Sequence, residues 1–253
     1  MAQEEFLDEP MPDIIEQWRF YFSILGPEDG DIIIDIGCNT GDAERLLLRE
    51  YPNIGKVVGV ENNQKRYENA LAKWQRDGKP AQFELKLADA QELPFPDAHF
   101  DHAFCVETLE WVRQPRLALQ EMRRVLKPGG SAVVIHSDFD TQVFNCTDKK
   151  LCRKIVNAFV DSGPNGQIGR ELYGLCKNAG FQKVKPTVYP LINTEWIPNS
   201  YAYKVAHMMG DWLTKKSLVP KDELERWIAD LAAQYSGGSF FYSINRYICR
   251  CWK

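Results

Sequence analysis

The sequence predicts a single α/β domain built on an open, mostly parallel sheet with helices on both faces. Three observations support this fold class. Short runs rich in β-branched residues alternate with segments of helical periodicity along most of the 253 residues. Glycine and proline mark many of the junctions between these segments. The early run Asp31–Ile36 (DIIIDI) is almost entirely apolar, as expected for a strand covered on both sides.

The predicted elements follow this alternation in order. The first helix covers Pro12–Leu25 and is ended by Gly26-Pro27. The strands are predicted over Asp31–Ile36, Lys56–Val60, Gln82–Ala88, Phe100–Val106, Ser131–His136, Phe181–Val188 and Phe240–Cys251. The intervening helices are predicted from Gly41 to about Tyr51 and over Gln64–Arg76, Pro115–Leu126, Asp148–Val160 and Ile168–Ala179. Residues 193–235 are helical and rich in aromatics, and we interpret them as a cap inserted between the last two strands.

Charge and composition exclude several classes of protein. The formal net charge of −4 argues against a nucleic-acid footprint, so no DNA partner is expected. No apolar run reaches the roughly 18 residues of a membrane span. The first thirteen residues are acidic and lack an apolar core, so a secretory signal is not expected. The seven cysteines are odd in number and none has CxxC spacing, which indicates reduced thiols in a cytoplasmic protein.

A glycine-containing turn follows the first predicted strand in the stretch IIIDIGCNTGDAERLL. Gly37 and Gly41 permit a tight turn, and Asn39 between them is among the few side chains that tolerate positive φ. Such a turn, with Cys38 inside it and the buried acid Asp35 just before it, lets backbone N–H groups face a ligand at a helix N-terminus. The same turn would also serve as a plain connection between a strand and a helix.

Acidic side chains close the next two strands. Glu61 follows Gly41 by 20 residues, a spacing at which a carboxylate can accept hydrogen bonds from both hydroxyls of a ribose. Asp89 ends the third strand at a usual position for an acid that binds an adenine amino group, and Ala90 could donate its backbone N–H to the ring. Cys105 lies at the end of the fourth strand. Because open α/β sheets bind ligands at the carboxyl ends of their strands, we expect these residues to converge.

The order DIGCNTG, GVENN, ADAQELPFPDAHFD, CVETLEWV and EMRRVLKPGG resembles the class I S-adenosylmethionine-dependent methyltransferases, type 11 or UbiE-like group. The resemblance covers residues 30–138 well. It implies a Rossmann-like open sheet of seven strands whose last strand is antiparallel. It also implies that S-adenosyl-L-methionine lies in the Gly37–Gly41 loop, with Glu61 at the ribose, Asp89 at the adenine and Asn62 beside the adenine face.

The resemblance divides the single methyltransferase domain, residues 1–253, into parts. We expect an N-terminal helical cover over 1–29, a cofactor-binding half over 30–138 and a helical substrate cap over 193–235. Tyr21 in the first helix is expected to cover the cofactor. There are two departures: Asn39 replaces a common glycine, and Trp111 stands where many relatives have histidine.

The candidate catalytic groups follow the fifth strand in VVIHSDFD, where His136 and Asp138 lie. A histidine is suited to take a proton near neutral pH, although a strand-end histidine often only forms local hydrogen bonds. His99 and His102 flank the start of the fourth strand, at the opposite end of the sheet from the crevice, and are discounted. No metal-ligand constellation is evident, so a metal-free reaction is expected.

Aromatic residues are concentrated near the start of the chain and in the late insertion, which suits a flat or hydrophobic small molecule. The sequence therefore predicts a methyltransferase for the O, C or N atom of an aromatic or hydrophobic metabolite. A protein or RNA methyltransferase and a non-catalytic cofactor-binding protein remain as alternatives. A nicotinamide enzyme is disfavoured because GxGxxG spacing is absent. A homodimer is left open.

Overall fold

The computed structural model describes residues 11–76, 78 and 80–253. Residues 1–10 of the predicted N-terminal cover lie outside the described residues. The strands are β1 Ile32–Ile36, β2 Lys56–Glu61, β3 Phe83–Leu87, β4 Phe100–Val106, β5 Leu126–Ser137, β6 Val143–Phe144, β7 Lys183–Asn193 and β8 Tyr242–Trp252. The helices are α1 Pro12–Leu25, α2 Asp42–Glu50, α3 Gln64–Arg76, α4 Pro115–Val125, α5 Lys149–Ser162, α6 Ile168–Asn178, α7 Tyr201–Lys215 and α8 Lys221–Ser236. Short 3-10 turns occur over Leu109–Trp111 and Phe139–Thr141.

All eight strands belong to one sheet. The main order is β3-β2-β1-β4-β5-β8, with β7 on the far edge of β8 and the two-residue β6 pairing with β8 beyond the end of β5. Strands β1 to β5 are joined by parallel pairs, whereas β8 is antiparallel to each of its neighbours. The predicted open sheet with an antiparallel last strand is therefore confirmed, and β6 is an addition to the seven predicted strands.

Successive residues of the central strands belong to different hydrophobic clusters. In β1, Ile33 packs with α1, α2 and α3, whereas Ile34 packs with α4 and α6. Because side chains alternate across a strand, these clusters lie on opposite faces of the sheet. A third cluster joins α5, α7 and α8 to the first residues of β8. The central strands are thus buried on both sides, which explains why their sequences read as continuous apolar runs.

The structure differs from the sequence prediction at the end of α4. The helix was predicted to run to Leu126 and the next strand to begin at Ser131, with Lys127-Pro128-Gly129-Gly130 ending the helix between them, but α4 ends at Val125 and Leu126 already belongs to β5. The pairing of β4 with β5 is irregular at this point. Phe100 pairs with Leu126 and His102 pairs with Ser131, so the residues between Leu126 and Ser131 bulge out of β5. A proline is tolerated here because the bulged segment lies at the start of the strand.

The N-terminal helix and the cap are joined by hydrogen bonds. The Asp13 carboxylate of α1 accepts from the Asn193 side-chain amide at 2.8 Å and from the Tyr201 backbone N–H at 3.0 Å. The Asn193 side-chain oxygen in turn accepts from the Ala202 backbone N–H at 2.7 Å. The end of β7, the start of α7 and α1 are therefore fixed to one another.

All seven cysteine side chains lie within the described residues, are buried and form no disulfide. None of the helices in the described ranges combines the length and apolarity needed to cross a membrane.

The connection between β3 and β4 is held by one arginine of α4. The Arg124 guanidinium donates to the carbonyls of Phe95 at 2.8 Å and Leu93 at 3.0 Å, and it pairs with Glu121. The Glu121 carboxylate also accepts the Leu93 backbone N–H at 2.9 Å. These contacts fix a loop that has no regular secondary structure of its own.

We expect Arg124→Gln to lower the melting temperature by about 2–4 °C, because it removes charged hydrogen bonds that are partly exposed and so contribute about 1 kcal/mol. Differential scanning calorimetry measures this shift. Arg116→Gln, an exposed arginine of the same helix, is the matched control. An equal effect of both substitutions would contradict the proposed role of Arg124.

Candidate active site

The turn between β1 and α2 is tight and closely packed. Gly37, Asn39 and Gly41 have φ values of 89°, 49° and 76°. A Cβ atom on Gly37 would lie 2.1 Å from the Thr108 hydroxyl oxygen, and one on Gly41 would lie 2.3 Å from the Trp74 indole nitrogen. Glycine is therefore required at both ends of the turn for its conformation and its close contacts. The turn thus has the tight conformation, with a positive φ at Asn39, that the sequence predicted.

Glu61 is buried at the end of β2 with its carboxylate fixed from two sides. One oxygen accepts the Asn39 backbone N–H at 3.2 Å, and the other accepts the Asn63 backbone N–H at 2.9 Å. Each oxygen keeps a second lone pair for a further donor. The neighbouring Asn62 side chain is exposed. This carboxylate fits a vicinal pair of hydroxyl groups.

The loops after β1, β2 and β3 are joined by backbone hydrogen bonds. The Val60 carbonyl accepts from the N–H groups of Gly37 and Cys38 at 2.8 and 3.0 Å, and the Glu61 carbonyl accepts from Ala88 at 3.0 Å. The predicted cofactor-binding loops therefore lie side by side at the carboxyl edge of the sheet.

The loop after β3 presents its acid to solvent. The Asp89 carboxylate is exposed and accepts from the backbone N–H and the side-chain amide of Gln91, at 2.8 and 3.1 Å. Ala90 next to it is buried. A carboxylate held in this way stays accessible to a further donor such as an amino group.

Two carboxyl groups lie buried beneath the glycine turn. Burial, together with the neighbouring Glu44 and Glu61, raises the pKa of Asp35 well above its ordinary value. Burial also raises the pKa of Glu44 to about 8. Burial and the same acids raise the pKa of the Cys38 thiol, which therefore stays protonated. The turn thus rests on groups that are largely uncharged at neutral pH.

The raised pKa of Glu44 makes stability depend on pH. Between about pH 4.5 and pH 8 the unfolded chain loses this proton while the folded protein keeps it, so stability falls as the pH rises. We expect Glu44→Gln, which has no proton to lose, to melt at increasingly higher temperature than the wild type from pH 5 to pH 8.5. Calorimetric melts at these pH values test this, with Glu50→Gln on the same helix as control. A constant difference across this range is the contrary result.

A second polar cluster lies where β4 and β5 end. The Glu107 carboxylate pairs with the Arg246 guanidinium of β8 at 2.7 Å and accepts the Ser137 backbone N–H. The His136 Nδ1 atom is 3.7 Å from the Glu107 carboxylate, and its Nε2 atom accepts the Glu110 backbone N–H at 3.4 Å. Glu107 itself has a φ of 51°, an uncommon conformation for a non-glycine residue.

The protonation states in this cluster differ from group to group. Burial would raise the pKa of Glu107, but the Arg246 charge outweighs it and holds that pKa below its ordinary value. Burial lowers the pKa of His136. Burial and the Glu107 charge raise the pKa of Glu110 to about 8. At neutral pH the cluster thus holds the Glu107 anion, the Arg246 cation, a neutral imidazole and a Glu110 carboxyl group that is mostly protonated.

Sequence analysis identified His136 in this cluster but missed Glu107, Glu110 and Arg246. The two acids are three residues apart in CVETLEWV and therefore share one side of the short turn after β4. Arg246 is a single charge in the alternating last strand, at a position that is buried. A charged residue at an inward-facing strand position was the one signal that could have identified it.

The structure places the predicted catalytic Asp138 in a salt bridge. Its buried carboxylate pairs with both the Nε and Nη2 atoms of Arg170 and accepts the Asp140 backbone N–H at 3.2 Å. These contacts argue against a role for Asp138 as proton acceptor. They instead hold the start of α6 against the end of β5.

Two other predicted residues are buried in ways that limit their roles. The Tyr21 hydroxyl donates to the Gln17 side chain at 2.9 Å, and burial raises its pKa. The Tyr21 hydroxyl interacts electrostatically with Arg246 and Glu107, so its ring lies beside the second cluster. The Cys105 side chain packs in the hydrophobic cluster of α4 and α6, and burial raises its pKa, so its backbone alone could face the crevice.

A cavity of about 650 Å³ lies away from these groups, between α1, α2 and α3. Trp18, Arg45 and Trp74 are among its lining residues, and it contacts none of the predicted site residues. The chemistry-bearing side chains are therefore grouped at the carboxyl edge of the sheet and not at this cavity.

Comparison with known proteins supports the fold and the class. Residues 34–134 match the methyltransferase domain family of type 11. An uncharacterized 37.1 kDa protein from a Streptomyces fradiae transposon is 31% identical over 88% of this chain and 63% of its own length. The O-methyltransferase cnsE of Penicillium expansum is 30% identical over 64% of this chain and 56% of its own. The UbiE C-methyltransferase of Pseudomonas entomophila is 31% identical over 56% and 52%. The chain thus spans about half to two thirds of these relatives.

Solved structures share the fold at low sequence identity. The YcgJ protein of Bacillus subtilis superposes with a TM-score of 0.63 at 16% identity, covering 94% of this chain and 98% of that one. The [4+2]-cyclase SpnF superposes with a TM-score of 0.61 at 18% identity, covering 94% and 81%.

The glycine turn, the ribose-type carboxylate and the sheet order define an α/β fold built to bind a nucleoside-containing cofactor. Together with the methyltransferase-domain match over residues 34–134 and the similarity to O- and C-methyltransferases, they support a class I S-adenosylmethionine-dependent methyltransferase. S-adenosylmethionine is the cofactor of this class.

Proposed function

We propose that this chain transfers a methyl group from S-adenosylmethionine to a small aromatic or hydrophobic metabolite. One observation carries the proposal: the loops after β1, β2 and β3 form a continuous, hydrogen-bonded edge that presents the Glu61 carboxylate. When bound, the cofactor supplies a methyl group on a positively charged sulfur. The protein's part is to bind and orient both reactants.

The cofactor-binding roles follow from what each group can donate or accept. Glu61 accepts from the ribose hydroxyls, and Asp89 accepts from the adenine amino group. Asn62 and Ala90 flank the adenine ring. The backbone of the Gly37–Gly41 turn, supported by Asp35, and the backbone of Cys105 line the remaining part of the cofactor site.

The acceptor side of the crevice is formed by α1 and the helical cap over 193–235. The hydrogen bonds of Asp13 join these two parts, which supports the inference that they cover the crevice as one unit. A closed, aromatic mouth suits a small molecule better than a protein or RNA surface. The O- and C-methyltransferase relatives support methyl transfer without fixing the acceptor atom. We infer a cytoplasmic enzyme without a DNA partner.

Cofactor binding should be tested directly, because the fold alone does not fix the activity. One structural neighbour with this fold is a [4+2]-cyclase. We expect S-adenosylhomocysteine to bind with micromolar affinity in titration calorimetry. Glu61→Ala should weaken binding by about 100-fold, because two hydrogen bonds to a charged group are lost.

Glu68→Ala, an exposed acid on α3, is the matched control, and NADH is the control ligand. Absence of S-adenosylhomocysteine binding would overturn the proposed function. Binding of NADH in its place would favour a nicotinamide enzyme.

A further inference from the structure

The polar cluster of Glu107, Glu110 and His136 lies next to the glycine turn. A carboxylate oxygen of each acid and a ring nitrogen of the histidine all lie within 4.8 Å of one another. Thr108, between the two acids, is the residue that a Cβ on Gly37 would strike. The cluster therefore borders the proposed cofactor site at the ends of β1, β4 and β5, where open α/β sheets bind their ligands.

Several buried polar atoms around this cluster have no partner within the described part of the protein. They are the Nδ1 atom of His136, the hydroxyl of Tyr242 and the Nε atom of Arg246. Buried polar groups in folded proteins are normally hydrogen-bonded. Unpaired donors that meet beside a crevice indicate a site that receives a polar group from a ligand.

The groups in the cluster differ in whether they can take a proton. Glu107 is held as an anion by Arg246. The His136 Nε2 atom accepts the Glu110 backbone N–H, which places the imidazole proton on Nδ1. Among the residues that the structure describes, the Glu110 carboxyl group is neither paired with Arg246 nor a hydrogen-bond acceptor for a backbone N–H, and it is only partly buried. It is thus the group in the cluster that is free to exchange a proton with a ligand.

The charged and titratable groups that face Glu110 come from every neighbouring element. They are Glu107 after β4, His136 of β5, Tyr201 of α7 and Arg246 of β8. The indole of Trp111 also hydrogen-bonds to the Glu110 carboxylate and favours its anion. Burial and the Glu107 charge outweigh this and raise the pKa of Glu110 to about 8, a value suited to a general base.

Aromatic rings lie beside this cluster. The Arg246 guanidinium lies 4.7 Å from the ring centre of Tyr201, which is 6.1 Å from the ring of Tyr242. Tyr21 and Tyr189 form a second pair, with ring centres 6.3 Å apart. Planar walls with polar edges fit an aromatic ring that carries a hydroxyl group.

We propose that Glu110 accepts the proton of an aromatic hydroxyl group, so that the chain methylates the oxygen of a phenol-class acceptor. The inference rests on the proposed function and names its acceptor atom. The acceptor oxygen gives its proton to the Glu110 carboxylate and forms a bond to the cofactor's methyl carbon. The carbon–sulfur bond breaks, and its electron pair stays on sulfur. The products are an aryl methyl ether, S-adenosylhomocysteine and a proton that Glu110 releases to water.

The Glu107–Arg246 pair positions this base. The Arg246 charge keeps Glu107 anionic, and the fixed negative charge of Glu107 makes Glu110 a stronger base. Arg246 also supplies a positive charge in the cluster, so the proposed step needs no divalent cation.

The first experiment measures binding without turnover. Catechol, 4-methylphenol and 1-naphthol, which keep their hydroxyl protons at pH 8.5, are titrated calorimetrically at that pH into the protein saturated with S-adenosylhomocysteine. We expect at least one phenol to bind saturably, and Glu110→Gln to weaken it about 10-fold while S-adenosylhomocysteine still binds. Glu171→Gln, an exposed acid of α6, should leave both affinities unchanged.

The second experiment measures turnover of the bound phenol with S-adenosylmethionine. We expect methylation on oxygen, a kcat that rises with pH to a plateau above about pH 8, and loss of that rise in Glu110→Gln. The same variant should lower kcat by about 100-fold or more with little change in KM for the cofactor.

Each result that would contradict these proposals leads to a different conclusion. Failure of all three phenols to bind while S-adenosylhomocysteine binds overturns the acceptor class but leaves the proposed function. Methylation of carbon or nitrogen, or a Glu110→Gln variant with wild-type kcat and pH profile, overturns the role of Glu110. Binding of Mn²⁺ to the wild type, measured by electron paramagnetic resonance and lost in Glu110→Gln, would assign the cluster to a metal. If S-adenosylhomocysteine does not bind, the proposed function itself fails.

Discussion

The site depends on the reversal of strand order between β1 and β4. The chain runs from β1 outward through β2 to β3 and then returns to β4 on the other side of β1. The connection after β1 leads to α2 on one face of the sheet, whereas the connection after β4 leads to α4 on the other. The two turns therefore diverge and leave a crevice between them. Both contain a residue with positive φ, Gly37 and Glu107, because each chain must turn sharply out of the sheet.

The ion pair of Glu107 and Arg246 extends this arrangement to the second half of the chain. Removing both charges from water is costly, and the cost is offset only when the pair is close and well oriented. Here the pair is 2.7 Å apart, and Glu107 also accepts a backbone N–H. Since Arg246 lies opposite Ser137 in the β5–β8 register, the antiparallel last strand brings the guanidinium to the end of β4. A change in that register by one residue would turn Arg246 to the other face.

Sequence predicted most of the fold because its signals are local. The bounds of α1 and β4 agree with the structure, since a proline start with a glycine end and a short strand-like run rich in apolar residues are both local patterns. The start of β5 was not predictable in this way. Pairing of Leu126 with Phe100 extends the strand through a segment whose composition indicates a turn.

The same distinction holds within the site. The positions of the Gly37–Gly41 turn and of Glu61 could be predicted because they are set by spacing along a strand–turn–helix unit. The salt bridge of Asp138 with Arg170 joins residues of β5 and α6, and spacing alone indicated only that Asp138 follows a strand. Tyr201 and Arg246 meet Glu107 only through the cap and the β8 register, which no local pattern encodes.

The family match covers one part of the site, and the groups that complete it lie outside the matched residues. The family match covers residues 34–134 and so includes the glycine turn, Glu61 and the acids after β4. It ends before His136 and includes neither Tyr201 nor Arg246. The groups that fix the charge of Glu107, and through it the basicity of Glu110, are therefore supplied by the part of the chain beyond the match. Two carboxyl groups three residues apart acquire different proton affinities because only one of them contacts the arginine of the last strand. Within this chain, the register of the last strand therefore sets the difference between the two acids, because it places Arg246 beside Glu107.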